Sequence, residues 1–61
     1  MSTLDQDGAS KVLSALTVEH WERLSKWEQG FVSSLEEWMD NGRDLTDGQL
    51  ETLEKIWVRM P

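Results

Sequence analysis

Apolar residues recur along this chain at intervals of three and four, with polar residues filling the positions between them. That period belongs to the α-helix rather than the strand. Ala9, Val12, Leu13 and Leu16 make the first apolar stripe and predict a short helix, with Asp7 as its N-cap. Residues 1–8 are polar and include Asp7-Gly8, so they read as a flexible N-terminal tail ahead of a single helical domain over 9–61.

A helix-starting device then repeats. Leu16-Thr17, Leu24-Ser25 and Leu45-Thr46 each place an apolar residue before a hydroxyl residue, with a helical pattern behind. The hydroxyl can accept from the free N–H groups that open a helix. Ser25 with Glu28 and Thr46 with Gln49 have capping-box spacing, whereas Thr17 with His20 fits poorly. Leu16 with Trp21 and Leu45 with Leu50 have the spacing of hydrophobic staples. Helices are therefore expected over 18–24, 26–41 and 47–60, with one bent helix over 18–41 as the alternative.

The long segment places Trp27, Phe31, Leu35 and Trp38 in one stripe, flanked by Val32 and Met39, and Gly42 follows as a left-handed stop. The last segment aligns Leu50, Leu53, Ile56, Trp57 and Met60. The short link Gly42–Leu45 makes these two helices antiparallel neighbours. The expected fold is all-α: a small three- to four-helix bundle built on an antiparallel helical hairpin. Gly30 sits inside the long helix, where it costs roughly 1 kcal/mol relative to Ala. Close approach of another helix would explain it.

Size changes the picture. A chain of 61 residues is one domain. Such a domain buries only about 60% of the surface its unfolded chain exposes. It has no cysteine and one histidine, so neither a disulfide nor a histidine metal cluster can staple it. Four tryptophans are the natural compensation and are expected in the core, with one or two left exposed as the functional alternative.

Charge narrows the partners. Twelve acidic residues against six basic ones give a net charge of −6. That disfavours nucleic acid and anionic lipid and suits a basic protein partner. No apolar run approaches the ~20 residues of a membrane span. The start of the chain lacks the pattern of a secretory signal, so a cytoplasmic location is expected.

Candidate chemistry is sparse. Asp40 to Glu51 has the length of a calcium loop, but Gly42 and Leu45 fall where an oxygen ligand and the turn glycine are needed. His20 beside Trp21 and Glu22 lacks a nucleophile, a metal or an orienting partner. Neither a metal nor a cofactor is expected, and the chain reads as a non-enzyme.

Two surface sets remain. Glu36, Glu37, Asp40, Arg43 and Asp44 form an acidic patch at the end of the long helix, suited to a basic partner protein. Lys26, Trp27, Arg43, Lys55 and Arg59 combine cations with an aromatic ring and suit single-stranded nucleic acid. Self-association into a homodimer is a third reading, since so small a core gains from a twin.

The line Trp27-Glu28, Phe31-Val32, Ser34-Leu35, then Gly42-Arg43, Leu45-Thr46, Gln49, Leu53 and Ile56-Trp57 resembles the small UvsW-associated helical proteins of T-even-type phages, over residues 24–60. The resemblance implies a compact helical fold and a phage or prophage origin, hence the host cytoplasm. It also implies an accessory role in DNA recombination or replication, through a helicase partner and with a link to DNA. The acidity of this chain departs from a nucleic-acid binder.

Overall fold

The computed structural model describes residues 4–60, and every regular element among them is helical. Helix α1 spans Gln6–Val18, a 3-10 turn spans Trp21–Arg23, α2 spans Lys26–Asp40, and α3 spans Asp47–Val58. The α1 helix touches α2, α3 and the 3-10 turn.

Local chemistry sets the helix starts. Ser25 and Thr46 both close full capping boxes, with Glu28 and Gln49 reaching back to their backbone N–H groups at 2.8 Å each. Leu45 and Leu50, the expected staple, are both buried. The α2 helix ends where Gly42 takes φ +79°, a left-handed conformation that a Cβ would strain.

The N-terminal third differs from expectation. The cap of α1 is Asp5, not Asp7; its carboxylate accepts from the Gly8 N–H at 2.6 Å. The helix therefore begins inside the segment assigned to a tail over 1–8, and Leu4 packs against the core. Positions 1–3 of that tail lie outside the described residues. An aspartate two residues earlier won because Asp5 can reach the third N–H of the helix, while Asp7 lies within the first turn.

The expected helix over 18–24 is absent. Thr17 does not cap it; Thr17 belongs to α1, and its hydroxyl proton is shared between the Leu13 carbonyl at 2.9 Å and Glu36 Oε1 at 3.0 Å. With α1 running through Val18, only the short 3-10 turn fits before the Ser25 cap. Leu16 consequently packs from inside a helix rather than stapling Trp21 ahead of one. The bent-helix alternative over 18–41 fails for the same reason. The last helix ends at Val58, two residues short of expectation.

The core is aliphatic. Ala9, Val12, Leu13 and Leu16 from α1 meet Leu24, Val32, Leu35, Leu45, Leu50, Leu53 and Ile56. Leu16, Leu35, Leu53 and Val32 are fully enclosed, each contributing roughly 1.5–3 kcal/mol. None of the four tryptophans is buried, which corrects the expectation that they fill the interior. Trp21, Trp38 and Trp57 lie half-buried against the edge, and Trp27 is 64% exposed. So small a core can enclose Leu and Val on all sides, but an indole also needs a partner for its N–H. Helix α2 is accordingly rotated: Glu28, Val32 and Leu35 point inward, and the aromatic stripe falls on its flank.

Candidate functional site

The acidic patch is built by the end of α2 and the loop over 41–46. Glu37, Asp40, Arg43 and Asp44 are exposed, while Glu36 is half-buried and held by Thr17. The guanidinium of Arg43 lies over the Trp38 ring, 5.0 Å from its centroid. A cation on an indole face gains roughly 0.5–1 kcal/mol at an exposed site.

Two clamps hold this loop. The Trp38 indole N–H donates to the Asp44 carbonyl at 2.9 Å. From the start of α1, the Gln6 amide donates to the Leu45 carbonyl at 3.0 Å and accepts from the Leu45 N–H at 2.8 Å. The loop thus satisfies part of its own backbone through side chains from α1 and α2, and the Asp44 carboxylate projects from a fixed frame.

The cation–aromatic set is divided. Arg59, just beyond α3, forms an ion pair with Glu28 in the first turn of α2. This gathers Lys26, Trp27 and Arg59 at one end of the molecule, with exposed Lys55 one turn before Arg59. Arg43 lies beyond the other end of α2, a helix about 22 Å long by its rise per residue. A strand of nucleic acid would have to run along the whole helix to meet all five.

Sequence reasoning missed two members of this surface. Phe31 stacks beneath Trp27, with centroids 5.3 Å apart and planes within 7°; the i,i+4 spacing carries that signal. Glu28, read only as a cap, is also buried and paired with Arg59: one oxygen takes the Ser25 N–H and the other takes the guanidinium.

Two open clefts lie on the surface of the described residues. One of about 160 Å³ lies between α1 and α2, lined by Ser10, Leu13, Ser14, Glu36, Met39 and Asp40. The other, about 480 Å³, is bounded by Val18, Glu19, Trp21, Glu22 and Arg23. His20 lies outside both and meets Trp57 edge-on at 5.9 Å. Its Nδ1 is shielded from water and has no hydrogen-bond partner.

Among the described residues, no group of three or more metal-type ligands is brought together, and no helix is long and apolar enough to cross a membrane. Comparison with known protein families, characterised proteins and solved structures finds no match to this chain.

Proposed function

We propose that this chain is a non-catalytic interaction module that binds a larger protein through the acidic loop after α2. The observation that carries this reading is the pair of clamps on the loop, from Trp38 to Asp44 and from Gln6 to Leu45. A loop fixed before binding loses less conformational freedom on association. Asp44 on the loop, beside Glu37 and Asp40 on the last turns of α2, then faces a basic partner with little reorganisation.

In this reading α2 and α3 form an antiparallel helical hairpin with the loop as its tip. The Glu28–Arg59 ion pair supports that arrangement, because it ties the start of α2 to the end of α3 while the loop joins their other ends. The non-catalytic assignment is supported by His20, whose ring faces an indole rather than an orienting carboxylate.

The resemblance to phage accessory proteins adds a setting. The partner would be a recombination or replication helicase, met in the host cytoplasm. The test is binding of such a helicase to the purified chain, with Glu37, Asp40 and Asp44 changed singly to Lys. Binding that weakens with each change and falls steeply with salt supports the reading. Binding indifferent to both charge and salt, or no binding at low salt, overturns it.

A second reading rests on one observation: the exposed Trp27 ring lies beside Lys26, with Arg59 at the same end of the molecule. Stacking of unpaired bases on such a ring contributes roughly 1–3 kcal/mol per base. Quenching of tryptophan emission by an oligonucleotide at low salt would support direct single-strand binding, and unchanged emission would remove it.

A further inference from the structure

Helix α2 has a second face that the fold leaves partly uncovered. Trp27, Gly30, Phe31, Ser34 and Trp38 project within an arc of about 100° on the helix circumference, by its 3.6-residue turn. Trp27, Gly30 and Ser34 are exposed, and Phe31 and Trp38 are half-buried. The arc lies on the flank away from α1, because Glu36, on the opposite flank, is the residue that meets Thr17 of α1.

Two features of this face are unexplained by the chain's own packing. Trp27 and Phe31 stack on each other in contact with solvent. Gly30 stands mid-helix, and a Cβ built on it would meet nothing within 4 Å. No described residue requires a glycine there.

The charges bordering the face are polarised along its length. Lys26 lies at one end, joined there by Lys55 and Arg59 of the α3 side. Glu37, Asp40 and Asp44 lie at the other and outnumber Arg43, whose guanidinium sits over the Trp38 ring there. Lys26 and Glu37 border the arc on the same side. A face with opposite charges at its two ends is complementary to itself when one copy is turned end over end.

We propose that this face docks a second copy of the chain, α2 against α2, antiparallel about a two-fold axis near the middle of the helix. In that register Trp27 meets Trp38 of the second copy, Gly30 meets Ser34, and Lys26 comes within reach of Glu37. Each contact occurs twice, as an isologous interface demands. The small residues at 30 and 34 let the backbones approach, and the aromatic rings at the ends close over them. A lone nucleic acid or a uniformly basic protein would match only one end of such a face. Glu37 belongs both to this face and to the acidic patch, so the dimer is tested on the purified chain alone, with no partner protein present.

One short helix face falls below the roughly 800 Å² per partner of a standard interface, so the dimer is a weak one. Sedimentation equilibrium from dilute to several hundred micromolar protein should show a reversible monomer–dimer transition. Trp27→Ala and Phe31→Ala should each weaken it by roughly tenfold or more, the loss expected of a central aromatic anchor. Gly30→Leu should do the same with its helix content intact.

Lys26→Glu and Glu37→Lys should each shift the chain toward monomer, and the double exchange should restore the dimer. That restoration is the result a merely structural role would not give. A strict monomer across the range overturns the proposal. So does a dimer unaffected by the Trp27, Phe31 and Gly30 changes, or one that the double exchange fails to rescue.

Discussion

The side-chain amide of Gln6 makes two hydrogen bonds with the backbone of Leu45, one as donor and one as acceptor, across 39 positions of sequence. In this way the first turn of α1 stands in for the strand-like partner that an irregular loop lacks. Gln6→Ala removes both bonds and leaves part-buried backbone groups unpaired, a loss of about 1–3 kcal/mol. For a domain this small each kcal/mol lowers the melting temperature by roughly 4–8 °C. Thermal unfolding followed by circular dichroism measures it. A change within error would mean that water replaces the amide at no loss.

Glu28 is the one buried carboxylate among the described residues, and it has two duties. Glu28→Gln keeps a side-chain oxygen for the Ser25 N–H but gives up the charge that faces Arg59. Glu28→Ala gives up both. Urea unfolding should rank wild type above Gln above Ala. Arg59 is mostly exposed, so Arg59→Ala should lose less than about 1 kcal/mol. A larger loss for Arg59→Ala than for Glu28→Ala would reverse this assignment.

Gly30→Ala should raise the melting temperature of dilute protein. Helix propensity favours Ala by roughly 1 kcal/mol, and the added methyl meets no neighbour. Gly42→Ala should do the opposite, because φ of +79° strains any Cβ by roughly 1–2 kcal/mol. The two melting curves, measured side by side at low concentration, separate a helical glycine from a turn glycine.

Leu53→Ala should be the most damaging of these changes. The side chain is fully enclosed, and such a truncation typically costs about 3–5 kcal/mol. That rivals the few kcal/mol, about 3–5, that a core of this size supplies. The variant should show a broad transition or none. A sharp transition near the wild-type temperature would mean that the core collapses around the gap.

What was legible in the sequence was the local chemistry. Ser25 with Glu28 and Thr46 with Gln49 announce their helices without reference to anything distant. Gly42 does the same for the end of α2. The start of α1 was harder, because Asp5 and Asp7 are both acceptable caps and the decision rests on which N–H groups remain free. Thr17 misled because a hydroxyl can serve a helix interior, bonded back to the Leu13 carbonyl, as well as a helix start.

The rotation of α2 was not legible. Its apolar residues spread over an arc of about 140° by the 3.6-residue turn, so periodicity alone could centre the buried stripe on Phe31 or on Val32. Packing of α1 chose Val32 and turned the aromatics outward. The Gln6–Leu45 and Glu28–Arg59 contacts were equally hidden, since each joins residues far apart in sequence. The acidic residues at 36, 37, 40 and 44 were visible as a charge cluster, but the clamps that fix the loop carrying Asp44 were not.

An aliphatic interior ringed by indoles divides labour between two non-overlapping groups of side chains. Leucines and valines hold the molecule together, while Trp27, the one ring that is mostly exposed among the described residues, is free to change. Random libraries over the exposed positions 27, 30 and 34 should therefore yield mostly foldable members. In evolutionary terms, such a chain can acquire new associates by drift at these three positions with little risk to its architecture.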